Sequence, residues 1–315
     1  MIYTLTLNPA IDRELTVEEI EYDKVLSALE TRVDFGGKGF NVSRLLKSLG
    51  MSSVAVGFVG GNTGRRLQNG LHALGIDSDF VWVESETRTN ISVVTQVHDH
   101  YIKVNEKGPL VNEAKQDELL DKIDSIARAG DWWVLAGSLP PGVDDSFYAR
   151  IIKVLNDRQA TAVLDTTGEA LRLGCREKPF LIKPNGEETQ ALSGMPVDTP
   201  VQVALAATEL RKMGAQNVVI SLGKTGALLQ TAEATWMVYP PVVKEKNPIG
   251  AGDSMVGGLV LALAQNIPLD EALSWGVASG AAAASLSGTD VGSLAQITEL
   301  RSQVRTEMME LPLSK

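Results

Sequence analysis

Short apolar runs alternate with amphipathic stretches through most of this chain. The runs at 53–59, 131–136, 161–164, 180–182 and 217–221 are rich in Val, Ile, Leu and Ala and are bounded by polar or glycine residues, as expected of strands buried on both faces. Between them, 64–74, 113–128, 146–157 and 201–213 carry apolar residues at helical spacing, which predicts amphipathic helices. Strands and helices in alternation predict an α/β fold with a mostly parallel sheet covered by helices on both faces. Ligands of such sheets bind beyond the carboxyl ends of the strands, where this chain concentrates its glycine and polar residues.

Two regions break the alternation. Arg13, Leu15 and Val17 with Leu29, Thr31 and Val33, and Ile91, Val93, Thr95 and Val97 with Tyr101 and Lys103, follow a period of two with no helix between them. The pattern predicts a small antiparallel sheet inserted in two pieces, 13–33 and 89–104, into a body made of 1–12, 34–88 and 105–315. A half-buried sheet needs a cover, either a substrate cleft, a partner subunit or both. Near the C-terminus, 269–287 and 294–309 read as two helices, the first with an alanine run, Ala281 to Ala284, suited to close packing.

Gly250-Ala251-Gly252-Asp253 leads straight into an apolar run, 255–264. A Gly-Ala-Gly turn that opens a helix leaves backbone N–H groups unpaired at the positive end of the helix dipole, so it holds an anion. A carboxylate there competes with the anion unless it has its own task. Accepting a proton from a hydroxyl, while the amides of Gly250, Ala251 and Gly252 stabilise a group in transfer, is such a task; capping the helix is the alternative. Three further glycine-rich or polar segments sit at helix starts or strand ends: Gly36-Gly37-Lys38-Gly39-Phe40-Asn41, Lys183-Pro184-Asn185-Gly186-Glu187-Glu188 and Ser221-Leu222-Gly223-Lys224-Thr225-Gly226.

Together these segments resemble the PfkB (ribokinase-like) family of carbohydrate kinases over nearly the whole chain. The start Thr4-Leu5-Thr6-Leu7-Asn8-Pro9-Ala10-Ile11-Asp12, the stretch Glu86-Thr87-Arg88-Thr89-Asn90 and Gly137-Ser138-Leu139-Pro140-Pro141-Gly142 are similar to its hexose-phosphate branch, the 1-phosphofructokinases and tagatose-6-phosphate kinases. Asn247-Pro248 departs from the Asp-Thr or Ser-Thr usual before the glycines and is similar to the tagatose-6-phosphate side. The resemblance implies a ribokinase-like three-layer α/β/α fold whose small antiparallel sheet is a lid over the sugar and a dimer contact. It also implies ATP and Mg2+ as cofactors. The implied reaction is phosphorylation of a ketohexose phosphate, fructose 1-phosphate to fructose 1,6-bisphosphate first, with tagatose 6-phosphate and then fructose 6-phosphate as rival acceptors. A non-catalytic sugar-phosphate sensor is the rival of a different class, and the intact Asp253 argues against it.

Phosphoryl transfer needs a hydroxyl in line, a proton acceptor, and positive charge around the migrating group. Asp253 is the candidate base. Asp12 and Asn41 suit sugar hydroxyls. Arg88 offers a fork for a phosphate already on the sugar, or is a solvated lid arginine; Lys38 offers a point charge to that phosphate or to the moving one. Ser138 can bond the sugar phosphate or cap its turn. By resemblance Gly37 and Asn90 complete the sugar side, while Lys183, Asn185, Ser221, Gly223 and Gly226 form the nucleotide side, with the alanine run available to an adenine ring. Asn185 and Glu188 lie one helical turn apart and suit Mg2+ held through water, or an N-cap with its capping box.

Charge and cysteine usage narrow the partners. With 29 basic against 39 acidic residues the net charge is −10, which argues against a nucleic-acid surface. An anionic substrate stays compatible, because a glycine turn with one or two cations acts at short range. The single cysteine, Cys175, excludes an intramolecular disulfide and reads as a packed small residue. The run 255–264 falls short of the roughly 20 residues that span a bilayer, and the N-terminus enters a strand with no charged and apolar leader, so no membrane partner and a cytoplasmic location are expected. Asp34-Phe35-Gly36 spells a protein-kinase metal triplet without its companion loop, and His98-Asp99-His100 reads as a solvated hairpin tip.

Overall fold

The computed structural model describes residues 1–95, 100–288 and 290–310. In chain order its elements are β1 (Ile2–Thr6), β2 (Ala10–Val17), β3 (Glu30–Gly36), α1 (Lys38–Ser48), β4 (Val54–Gly60), α2 (Gly61–Ala73), β5 (Asp77–Val83), β6 (Arg88–Thr95) and β7 (Tyr101–Val104). They continue with α3 (Glu113–Ile126), β8 (Trp132–Ala136), α4 (Phe147–Asp157), β9 (Thr161–Asp165), α5 (Gly168–Arg176), β10 (Leu181–Ile182), α6 (Gly186–Ser193), α7 (Pro200–Lys212) and β11 (Asn217–Ser221). A 3₁₀ turn (Gly223–Thr225) then precedes β12 (Ala227–Gln230), β13 (Thr235–Tyr239), α8 (Ala251–Ala264), α9 (Leu269–Ala284), α10 (Leu294–Arg301) and β14 (Arg305–Met309).

Ten strands form the large sheet in the order β14-β13-β12-β11-β10-β9-β8-β1-β4-β5. It is parallel from β11 to β5 and antiparallel from β11 to β14. Period-two alternation divides its side chains between two cores. Trp133 and Leu135 of β8 face a layer with Leu119, Phe147, Ile151, Leu171 and Leu210 of α3, α4, α5 and α7, whereas Val134 and Ala136 face Leu45, Leu259, Leu273 and Ile297 of α1, α8, α9 and α10. The result is a three-layer α/β/α body. Helix α8 is apolar all round and buried from Asp253 to Leu263, packed between α1 and α9, so its N-terminus opens at the centre of the molecule. Cys175 packs in the first core, and burial pushes its thiol up to about 12, which leaves it chemically quiet.

The small sheet has the order β3-β2-β6-β7. Both hairpins are antiparallel, and they meet side by side through a parallel β2–β6 pairing in which Asp12 lies opposite Asn90. Register puts Asp12, Asp34 and Asn90 on one face and Leu15, Ile91, Val93, Ile102 and Val104 on the other. Among the described residues only the base of the apolar face is covered: Ile11 joins a cluster with Phe40, Val59, Leu67, Leu71 and Phe80, packed by Val33 and Phe35.

Several boundaries differ from those expected. The bend at Leu7 to Pro9 ends β1 at Thr6, and the period of two resumes at Ala10, so Asp12, expected in the body with 1–12, lies inside the small sheet. The helix expected over 294–309 stops at Arg301. Arg305–Met309 instead pairs with the free edge of β13, where the Arg305 guanidinium stacks 4.5 Å from the Tyr239 ring; an available sheet edge overrides a locally ambiguous pattern. Strands β5, β12 and β13 lie in stretches that the apolar pattern left unassigned. The tip residues His98 and Asp99, with Val97, lie outside the described residues. Among the described residues no helix is long and apolar enough to cross a membrane.

Candidate active site

The carboxyl ends of the parallel strands meet the N-termini of α1, α6 and α8. Gly250 precedes α8 in the left-handed region, at φ 79°, a conformation that a side chain would strain; its carbonyl accepts from Ser254 N at 2.9 Å. The amides of Gly252 and Asp253 have no backbone partner among the described residues, so the turn presents free donors at the positive end of an apolar helix. Asn247 shapes this turn. Its Nδ2 donates to Gly288 O at 3.0 Å and its Oδ1 accepts from Ile249 N at 3.0 Å, so the unusual Asn247 is spent on the loop.

Asp253 is 8% exposed, and its Oδ2 accepts from Asn41 Nδ2, in the first turn of α1, at 2.7 Å. Burial, followed by the charge of Asp165, pushes its carboxyl up to about 6, against the Asn41 hydrogen bond and the charges of Lys38 and Lys183. Asp165 was not singled out by sequence. It ends β9, is 1% exposed, and its Oδ1 takes both Lys38 Nζ at 3.3 Å and Lys183 Nζ at 3.4 Å. Burial works against the Lys38 ammonium, but Asp165, Asp253 and Glu188 outweigh it and hold its pKa above the usual value. The available signal was an acid directly after a buried strand, where a parallel sheet places its ligand groups.

On the small-sheet side, Asn90 Nδ2 donates to Asp12 Oδ1 at 2.8 Å. The side-chain oxygens of Asn41 and Asn90 are buried without partners, two acceptors that an O–H donor would satisfy. Arg88 is half-buried and does not stand free. Its Nε and Nη2 donate to Asn8 O at 3.2 and 2.9 Å and its Nη1 to Glu106 O at 3.0 Å. Burial holds its pKa below the usual value against Asp12 and Glu106, and a guanidinium stays charged throughout. Ser138 is exposed one residue beyond Gly137, whose N–H donates to Asp165 O at 3.0 Å. Gly37 is the N-cap of α1.

Beyond Asp253 opens a cavity of ≈760 Å³. Lys38, Lys183, Asn185, Glu188, Ser221 and Gly252 line its polar end, and Gly223, Gly226, Val277, Gly280, Ala281 and Ala284 reach its apolar end. The alanine run therefore serves twice: Ala282 is in the core while Ala281 and Ala284 face the cavity. Pro240, Pro241, Val243 and the Lys224–Glu245 pair, 3.5 Å apart, form a wall that no sequence motif marked. Asn185 and Glu188 form a reciprocal capping box on α6, each side chain bonded to the other's backbone N–H at 2.8 Å. That leaves one Glu188 oxygen for a cation. Among the described residues no three His, Cys, Asp or Glu side chains gather as a metal cage, so the donors here suit a divalent ion that keeps most of its waters and takes phosphate oxygens.

The sequence matches the pfkB family carbohydrate kinase model over residues 4–296. It is 36% identical over 285 residues to the 1-phosphofructokinase of Bacillus subtilis (strain 168), covering 90% of this chain and 92% of that protein. With the D-tagatose-1-phosphate kinase of Bacillus licheniformis it shares 33% identity over 306 residues, 97% of this chain and 99% of that one. The structure is similar to that of phosphofructokinase-2 from Escherichia coli in complex with potassium, with a TM-score of 0.91 and 34% identity over 96% of this chain and 98% of that one. With the family model matched over residues 4–296 and relatives of this identity aligned over nine-tenths or more of their length, on a ribokinase-like fold, the chain belongs to the pfkB family of carbohydrate kinases.

Proposed function

We propose that this chain transfers the γ-phosphoryl group of ATP to fructose 1-phosphate, giving fructose 1,6-bisphosphate and ADP. The observation that carries the reading is Asp253, a buried carboxylate of raised proton affinity at the mouth of a free-donor turn, between the cavity and the small sheet. The nucleotide fits the cavity with its base against Ala281 and Ala284 and its phosphates toward Lys183 and the turn. The sugar fits on the other side of Asp253, where Asp12 accepts from its hydroxyls and the unpartnered oxygens of Asn41 and Asn90 do the same.

In the step itself the acceptor oxygen bonds to the γ-phosphorus, the bond to the β–γ bridging oxygen breaks, and ADP leaves with that electron pair. Asp253 takes the hydroxyl proton. In a loose transition state that transfer comes late, and positioning supplies most of the rate. The amides of Gly252 and Asp253, with Lys38 and Lys183, stabilise the equatorial oxygens. Magnesium bound with the nucleotide would neutralise phosphate charge, and Glu188, with Asn185 through water, would hold it. Arg88 and Ser138 receive the phosphate already on the sugar, and the small sheet of β2, β3, β6 and β7 closes above it as a lid. The lid's apolar outer face joins a second copy of the chain. A cytoplasmic location suits an enzyme of these substrates.

A coupled assay of ADP release with fructose 1-phosphate, fructose 6-phosphate and tagatose 6-phosphate tests the reading. Fructose 1-phosphate is expected to show the highest kcat/KM by about tenfold or more, a difference of roughly 1.4 kcal/mol in transition-state binding. A higher value for tagatose 6-phosphate would transfer the assignment to that sugar, and no turnover with any of the three would return the sensor reading.

A further inference from the structure

Asn8 is 4% exposed in the bend between β1 and β2 and touches three other segments. Its Nδ2 donates to Lys107 O at 3.1 Å and, at a longer 3.4 Å, to Leu139 O. Its backbone carbonyl accepts Nε and Nη2 of Arg88. Glu106, next to Lys107, makes two more links: its carbonyl accepts Arg88 Nη1 and its carboxylate accepts Thr89 N at 2.8 Å. The Asn8 amide therefore fixes the loop after β7 and the turn after β8, and its carbonyl fixes the start of β6.

A guanidinium carries five N–H donors, and three of those on Arg88 go to these two carbonyls. One N–H remains on each terminal nitrogen, so Arg88 keeps two donors for phosphate oxygens. Where that pair stands relative to Ser138 depends on the distance between the Glu106 loop and the Leu139 turn, and the Asn8 amide spans that distance. Gly108 shows how closely the loop lies on it: a Cβ there would stand 2.2 Å from Asn8 Oδ1, with the backbone at φ +96°.

We propose that Asn8 is a positioning residue for the acceptor's phosphate, holding Arg88 and Ser138 at the separation at which both bind one phosphate group. This rests on the reading of Arg88 and Ser138 as ligands of that phosphate. Residue type matters because only an amide of this length offers two N–H donors to two carbonyls. Aspartate would turn oxygens toward them, and serine would reach neither.

The test uses the full chain with Asn8→Ser, Asn8→Asp, Arg88→Ala and the Asn8→Ser/Arg88→Ala double variant, varying fructose 1-phosphate and ATP separately. Each Asn8 variant is expected to raise the KM for fructose 1-phosphate by about tenfold, while kcat and the KM for ATP stay within about twofold. The double variant is expected to be no more than about twofold worse than Arg88→Ala, because Asn8 acts largely through Arg88. Amide exchange over 105–110 and 137–142 should quicken in the Asn8 variants. A fructose 1-phosphate KM unmoved in Asn8→Ser, or both KM values rising together, or effects that multiply in the double variant would reduce Asn8 to a structural staple and overturn the proposal. If Arg88→Ala itself leaves the fructose 1-phosphate KM unchanged, the phosphate reading fails and the proposal falls with it. If only the Asn8 variants are silent, the phosphate reading stands and the proposal alone falls.

Discussion

Asp253 is held at a cost to the fold. Its carboxyl, pushed up to about 6 from the 3.8 of an ordinary aspartate, binds a proton more tightly in the folded chain than in the unfolded one. Stability contributed by this group therefore falls as pH rises from about 4 to about 6, and at neutral pH the charged carboxylate costs roughly 3 kcal/mol. Asp253→Asn is expected to raise the melting temperature by a few degrees while lowering kcat by roughly 10²–10⁴-fold. Retention of more than about a tenth of wild-type turnover would remove Asp253 as the base. Activity is expected to carry an acid limb in kcat/KM near pH 6, where Asp253 takes up its proton. Asp165→Asn deletes a charge that raises the Asp253 pKa, so it should move this limb to lower pH; a limb that stays or moves upward would disprove the coupling of the two acids.

At the scale of elements, two features answer to separate measurements. The small sheet is built from segments far apart in sequence but paired at Asp12 and Asn90, so a sugar bound there should order both hairpins together. Fructose 1-phosphate is expected to slow amide exchange in 10–36 and 88–95 in concert, while ATP alone protects 183–188 and 221–226. Protection of one hairpin only would separate the lid from the sugar site. The capping box of α6 raises a different question, because Glu188 has two tasks, cap and cation. Glu188→Gln keeps a capping side chain but loses the charge, so the melting temperature should stay within about 1 °C while the Mg2+ needed for half-maximal rate rises about tenfold. A lower melting temperature with unchanged Mg2+ dependence would leave Glu188 only the cap.

For the whole molecule, the uncovered part of the small sheet is decisive. Ile91, Ile102 and Val104 are 39%, 41% and 58% exposed on one face, beside Leu15 and Val93. A contiguous apolar face of this kind is rare on a monomer. Ile102→Lys is expected to give monomers by sedimentation velocity at concentrations where the parent chain is a dimer. A parent chain that sediments as a monomer, or a variant dimer of unchanged strength, would remove the lid as the interface.

The sequence by itself determined whatever is periodic or local. Buried strands with a period of two and helices with a period near 3.6 announced the layered body, and the glycine turn before Asp253 announced unpaired N–H donors at a helix start, because these depend on neighbours a few residues away. The start of β2 and the strand at Arg305–Met309 were not legible, since strand ends depend on which edge is free to pair. Neither was Asp165, whose meaning comes from Lys38 and Lys183, 127 residues before it and 18 after it, converging on one oxygen. Asn8 is the same case, an ordinary amide until the fold brings Lys107, Leu139 and Arg88 to it. Tertiary structure alone decided these, because a buried polar group acquires its function from partners that the chain reaches only by folding.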